Sequence, residues 1–317
     1  MRRLRGKMKK ILIFLICAVL LCGCGAPKAD NGKLRVVATI FPLYDFARAI
    51  GGEKINLKLL IDPGTEVHSY DPAPSDIRAI YGADLFCYIG GESDEWVSSL
   101  LGDINVDTFK GLDKVQTLEE QHIGESERGH SHSHTGESQN HEADEHIWTS
   151  PENAMILINS LADDFCALDE ENAAYYRENA ASYCREIREL QGEMRQLVAE
   201  TPEPFILVAD RFPFLYFAEE FGISYEAAFG GCAISADISM KTMKRLIDTV
   251  NEKELSAAYY TEMSGKTVAN ALSEETGTAL LELQSGHNVT LKEFNAGITY
   301  ADILRQNIMA LQKGWQK

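Results

Sequence analysis

Six of the chain's eight histidines fall in one short stretch, "HIGESERGHSHSHTGESQNHEADEHIW", from His122 to Trp148. The stretch carries few apolar residues, so packing in a core does not account for its imidazoles. Near neutral pH an unperturbed imidazole is mostly uncharged and is a ready ligand for Zn²⁺ and related ions. His130, His132 and His134 alternate, and an extended backbone presents all three on one side. Three readings stand: ligands of one site, a loose metal collector, or a solvated loop. The two remaining histidines, His68 and His287, bear on the choice.

Those residues need elements to position them. From Leu34 onward, "LRVVAT", "INLKLLI", "ADLFCYIG" and "INVDTF" read as strands, separated by helical patterns at Leu43–Ile50, Ser75–Tyr81 and Asp94–Leu101. After about Glu200 the alternation resumes with "PFILVAD", "ISYEAAF", "LSAAYYTE" and "ALLEL", and a last helix begins near Tyr300. Strands and helices in this order predict an α/β fold: two lobes, each with a mostly parallel four-stranded sheet flanked by helices. Between the halves, Tyr176, Ala180, Tyr183, Ile187, Leu190, Met194 and Leu197 form one apolar seam at helical spacing. With "DEENA" as its start and "TPEP" as its stop, this is one long rigid helix of about thirty residues, roughly 45 Å, joining the lobes. A faint repeat, "FPLYDFARAIG" against "FPFLYFAEEFG", fits two similarly built halves.

In open parallel sheets, ligands bind beyond the carboxyl ends of the strands. Five polar residues fall there. His68 follows "INLKLLI" in the loop "IDPGTEVHSYDPAPSD", whose Ser75 reads as a helix N-cap; His146 precedes the helix start "IWTSPENA". In the second half, Asp210 ends "PFILVAD", Glu262 ends "LSAAYYTE" and His287 follows "ALLELQSG". Imidazoles plus a carboxylate are the usual Zn²⁺ set, and suit Mn²⁺ when more oxygen is supplied. Catalytic signatures are missing: no HExxH, GxSxG, Walker motif or GxGxxG after a strand. Glu66, Glu262 or Asp210 could serve in principle as the base of a hydrolytic zinc site, and nothing in their spacing demands that role.

The formal net charge of -18 argues against nucleic acid, since such a surface repels phosphates. The first residues are a leader: Arg2, Arg3, Arg5, Lys7, Lys9 and Lys10 precede a short apolar run, Ile11 to Leu21, too short to span a bilayer. It ends in "LCGC", similar to the processing box of bacterial lipoproteins, with small Gly23 favouring lipidation at Cys24. The chain therefore divides into leader and lipobox (1–24), tether (25–33), first lobe (34–150, with a histidine-rich insert at 120–145), helical region (151–200, long helix 170–200) and second lobe (201–317). Cys87, in "ADLFCYIG", reads as a buried small hydrophobe, and pairing among Cys166, Cys184 and Cys232 stays open.

The lipobox, "ATIFPLYDFARAIGG", "LIDPGTEVHSYDPAPSDI", "ADLFCYIGG", the insert, "HIWTSP", the long helix and "GITYADILRQNI" together resemble the zinc/manganese-type solute-binding lipoproteins of bacterial ABC importers. "GTEVHSYDPAPSD" and "HIWTSPENA" are the specific parts of the likeness. The resemblance implies a metal held between two lobes, delivery to an ABC permease without catalysis, a monomer, and a lipid anchor in the cell membrane through Cys24, facing the extracytoplasmic side. It places His68 and His146 as the first two ligands. Where the family has its next His or Glu, this chain has Arg211, which cannot bind a cation, and the last family acid falls near Gln284. The expected set is therefore His68, His146 and His287, with Asp210 contributing directly or orienting a ligand. Three imidazoles favour Zn²⁺ over Mn²⁺. His122, His130, His132, His134 and His141 are then a low-affinity collector beside the site. The readings that compete are a surface zinc hydrolase and an adhesin, and the sequence holds no feature specific to either.

Overall fold

Runs rich in β-branched and aromatic residues become the strands of two sheets, because such side chains pack well on a pleated surface. In this computed structural model, residues 32–102, 105–121, 143–231 and 238–316 are described. The leader, Cys24, Cys232 and the histidines at 122, 130, 132, 134 and 141 lie outside them.

The first sheet comprises β1 (Leu34–Ala38), β2 (Ile55–Leu59), β3 (Leu85–Tyr88) and β4 (Asp107–Lys110), in the order β2-β1-β3-β4. The second comprises β5 (Phe205–Val208), β6 (Ser224–Ala227), β7 (Ala257–Tyr260) and β8 (Ala279–Glu282), in the order β6-β5-β7-β8. Every strand pairing within the two sheets is parallel, as expected. The two orders are the same. In each sheet the chain first steps to one side of its first strand and then crosses to the other, which opens a crevice at the carboxyl ends.

Helices α1 (Phe41–Gly51), α2 (Pro74–Tyr81) and α3 (Glu95–Leu101) belong to the first half, and α4 (Pro151–Leu168) follows the insert. The long helix α5 runs Ala173–Glu200, about 42 Å for its 28 residues. It starts later than the expected residue 170 because Glu170–Asn172 form a tighter 3₁₀ turn. Its apolar seam is buried as the spacing requires, with Leu197 partly so. On that seam α5 touches α1 of the first lobe and, in the second, α6 (Leu215–Phe221) and α10 (Tyr300–Trp315). The remaining helices are α7 (Met240–Lys253), α8 (Thr267–Thr276) and α9 (Leu291–Ala296).

One hydrophobic core runs from Leu34 through Trp148, Tyr176 and Ile187 to Leu311 and so unites both sheets. Two smaller clusters cover the outer sheet faces, around Phe86 in the first lobe and Leu246 in the second. At the joint, Asp45 of α1 accepts from the Tyr183 hydroxyl of α5 and from the Tyr300 N–H of α10 at 2.8 Å. Three helices thus meet on one carboxylate.

Two local expectations differ. Ser75 is not the N-cap of α2; Ala73 holds that position, Pro74 opens the helix, and Asp76 accepts from Ala73 N at 3.2 Å. Proline takes the first helical position because it lacks the N–H that would be orphaned there. The repeat is also unequal: Phe41–Gly51 is helical throughout, whereas in Phe212–Gly222 the helix begins only at Leu215. Cys87, Cys166 and Cys184 are buried free thiols.

Candidate metal centre

A short strand followed by a loop leaves that loop's side chains at the crevice, and His68 arrives this way. Its loop is fixed downstream by Tyr70, which donates to Asp76 Oδ2 at 2.9 Å and packs on Trp96. His146 precedes α4, whose first turn is capped by Ser150 accepting from Asn153 N at 3.1 Å. His287 follows β8 in a loop whose Ser285 carbonyl accepts from Trp148 Nε1 at 2.8 Å. Side chains of His68, His146 and His287 are all nearly removed from solvent.

The three rings converge. Their centroids are 5.1 Å apart for His68 and His287, 5.2 Å for His146 and His287, and 6.0 Å for His68 and His146. With Zn–N near 2.0–2.1 Å, a ring centroid sits about 3.2 Å from the ion, and tetrahedral angles then separate centroids by about 5.2 Å. Two of the three separations match that figure, and the third needs a small inward shift of His68 or His146.

Behind two of the rings stands a carboxylate. His146 Nδ1 lies 3.2 Å from Asp144 Oδ1, which also accepts from the His146 backbone N–H at 2.8 Å. His68 Nδ1 faces Glu145 Oε1 at 3.6 Å. Glu145 is itself gripped by Ser93, whose N–H and hydroxyl donate to it at 2.9 and 2.5 Å. Donor atoms of His68, Glu145, His146 and His287 all lie within 4.8 Å of one another. Glu145 nevertheless does not line the open cavity, whereas the three histidines do. With both oxygens held by Ser93 and set behind His68, it fits the orienting place that a carboxylate takes next to a metal-binding imidazole. In both pairs Nδ1 faces the acid, which leaves Nε2 for the cavity.

Asp210, Arg211 and Glu262 line the same cavity. Asp210 lies outside the close donor group; its Oδ1 accepts from Arg211 N at 2.9 Å and its Oδ2 is buried without a protein partner. Arg211 reaches across to Glu66, both guanidinium nitrogens at 3.2 Å from its oxygens, which holds the Glu66 carboxyl below its usual range despite the opposing effect of burial. Gln284 points elsewhere: it lines an internal cavity under α10, with its amide nitrogen 3.2 Å from Glu293. Gly231 packs against His146, where an added Cβ would come to 3.2 Å from both the ring and the Phe212 carbonyl.

Burial pushes the His287 imidazole well below its ordinary pKa, and the neighbouring His68, His146 and Arg211 charges add to the shift. His68 is lowered too, by burial first, against the attraction of Glu145. For His146 burial acts downward, but the Asp144 carboxylate outweighs it and the net shift is upward. Burial raises the Glu262 carboxyl, partly offset by hydrogen bonds from Ser285 and His287.

Asp144 and Glu145 were not among the residues the sequence singles out. The signal was present in "ADEHIW", two acids directly before a histidine, but adjacency in a chain does not say that one of them turns to a histidine from another loop. The five histidines of the insert lie outside the described residues.

The family described as ZnuA, zinc-uptake complex component A periplasmic, matches residues 36–314. The zinc-binding lipoprotein AdcA of Streptococcus pneumoniae is 29% identical over 308 residues, covering 96% of this chain. The chain spans 61% of that relative's length. The high-affinity zinc uptake system protein ZnuA of Bacillus subtilis is 27% identical over 318 residues, with 96% of this chain and 97% of that protein covered. Among solved structures, the Zn(II)-bound ZnuA-like domain of S. pneumoniae AdcA superposes with a TM-score of 0.74 at 25% identity, covering 90% of this chain and all of that domain. A match over nearly the whole described fold, in a chain whose crevice gathers three buried imidazoles, leads to one conclusion: this protein belongs to the ZnuA family of zinc-uptake components.

Proposed function

We propose that the protein captures Zn²⁺ as cargo in the crevice between its sheets and hands it to the permease of an ABC importer. The observation that carries this reading is the convergence of His68, His146 and His287. In this reading their Nε2 atoms hold the ion, Asp210 supplies the fourth ligand or orients a water there, and Asp144 and Glu145 fix the ring orientations. Three neutral imidazoles bring no charge, so the dication needs carboxylates nearby to offset its loss of water. Asp144, Glu145, Asp210 and Glu262 provide them, while Glu66 neutralises Arg211. Nitrogen-rich coordination favours Zn²⁺ over Mn²⁺, which prefers more oxygen.

The names of the AdcA and ZnuA relatives support zinc as the cargo and an uptake system as the partner. No helix among the described residues is long and apolar enough to cross a membrane, and we assign attachment to the cell membrane to a lipid on Cys24, with the protein facing the extracytoplasmic side. The protein acts as a monomer of two lobes, 34–150 and 201–317, without catalysing a reaction. His122, His130, His132, His134 and His141 serve as a low-affinity collector. Equilibrium titration tests the site: wild type binds about one Zn²⁺ tightly, deletion of Gly124–Asn140 leaves that binding, and His68→Ala with His146→Ala abolishes it. A double variant that still holds one Zn²⁺ tightly refutes the assignment.

A further inference from the structure

The loop that carries His287 is held from two sides. On its own lobe, Glu262 accepts from Ser285 N at 2.7 Å, from His287 N at 3.2 Å and from the Ser285 hydroxyl. On the opposite lobe the next residue does the holding. Asn288 Nδ2 donates to Thr65 O at 2.8 Å and to Asp62 O at 3.1 Å, in the loop that leads to His68. Alongside, Gly64 N donates to Val289 O at 2.9 Å, and Gly64 has the positive φ of 84° that this turn needs.

The orientation of the Asn288 carboxamide is determined by its surroundings. Its Oδ1 accepts from Val289 N at 2.8 Å, which leaves the two N–H donors for the two carbonyls across the crevice. Both N–H donors and the amide oxygen thereby each have a partner, and Asn288 is 4% exposed. A carboxylate in its place offers no donor and sets negative charge against two carbonyl oxygens.

We infer that Asn288 is a positioning residue for the metal, a clasp between the lobes that fixes the His68–His287 separation at the bonding distance. The inference rests on the reading of those two histidines as ligands. Because Asn288 sits directly after one ligand and grips the loop of the other, the bonds that join the lobes here also set the spacing of the two imidazoles. Without the clasp the ligands remain, but holding them together costs conformational entropy that the wild-type protein has already lost.

The test compares zinc dissociation, followed by transfer to a colorimetric chelator, in wild type, Asn288→Asp and Asn288→Ala. Faster release, by roughly 10- to 100-fold, is expected in both variants, as for other residues that orient metal ligands. The melting temperature of the metal-free variants is expected to change less than the upward shift that Zn²⁺ produces, and the visible spectrum of the Co²⁺-loaded protein is expected to change. General destabilisation alone would move the melting point and leave the spectrum alone. Wild-type release rates in Asn288→Asp overturn the inference. If His68→Ala keeps wild-type affinity, the ligand reading fails, and this inference falls with it for a separately visible reason. Should both Asn288 variants fail to fold, amide exchange in zinc-loaded wild type decides: the clasp requires slow exchange at Gly64, and exchange at the rate of a free loop overturns it.

Discussion

His146 turns its Nδ1 onto Asp144 Oδ1 at 3.2 Å, within a segment where both residues are almost completely buried. Asp144 is held in turn by Tyr216, whose hydroxyl donates to its carbonyl at 2.8 Å and accepts from Leu118 N at 3.0 Å. One ligand candidate of the first lobe is thus oriented through a tyrosine of the second.

With His68, His146 and His287 as the proposed ligands, their pKa shifts set the expected pH dependence of zinc binding. A ligand must be unprotonated to bind. Burial keeps His287 and His68 neutral to below their ordinary value, whereas Asp144 keeps the proton on His146 to above it. Above about pH 6.5 only one proton then competes with the metal. Affinity should rise with pH with a slope near one, not three, and level off once His146 has lost its proton. Chelator-competition titrations between pH 6.5 and 8.5 measure the slope; Asp144→Asn should move the plateau to lower pH while weakening binding there.

The same shifts act on the stability of the metal-free fold. His287 and His68 have lowered values, so below about pH 6.5 the unfolded chain takes up protons that the folded one refuses, and stability falls with pH. His146, raised, works in the opposite sense: its contribution is full below the unfolded value and is lost as pH rises through the folded one. Denaturant midpoints should therefore fall from pH 7 to 5.5 in wild type, more steeply in His146→Gln and less steeply in His287→Gln.

The second-lobe ligand is decided by a pair of substitutions. His287→Ala should weaken zinc binding about 100-fold or more, equivalent to roughly 2.7 kcal/mol. Gln284→Ala should leave it within about threefold, because that side chain faces the cavity under α10 and not the crevice. Isothermal titration on both variants checks the contrast; a loss in Gln284→Ala as large as in His287→Ala would overturn it.

Asp45 makes a stability prediction independent of metal. Its buried carboxylate joins Tyr183, the Tyr300 N–H and Arg48, the last at 2.5 Å. Asp45→Ala leaves these donors without their shared acceptor and should cost about 3 kcal/mol. Urea unfolding of metal-free protein measures it, and a loss under about 1 kcal/mol would show that water replaces the carboxylate.

Gly231 tests how tightly the second lobe closes on His146. A Cβ there meets the ring and a backbone carbonyl at the same 3.2 Å, so Gly231→Ala must displace one of them. Zinc affinity should fall several-fold, and the melting temperature of the metal-free protein should shift little.

Much of this protein is written locally. The alternation that gives β1 to β8 and the 4,3 spacing from Tyr176 to Met194 follow from periods of two and 3.6 residues, which any short window reveals. Placing His68, His146, Asp210, Glu262 and His287 at strand ends or helix starts needed no more than that, together with the rule that parallel sheets bind ligands at their carboxyl ends. Ser75 shows the limit of such reading, since Asp76, proline geometry and Tyr70 together outcompeted a plausible cap.

What the sequence by itself determined was therefore a set of elements and the residues at their ends. Only the tertiary structure decided which of those ends meet. It drew His287 into the ring triangle and left Gln284 outside; it set Glu145 behind His68, tied Arg211 to Glu66, and made Asn288 a bond between lobes. The physical reason is range. Strand and helix formation depends on neighbours within a turn or two. The crevice depends on two sheets, far apart in the chain, being locked at one angle by the shared core around Trp148, Tyr183 and Tyr300.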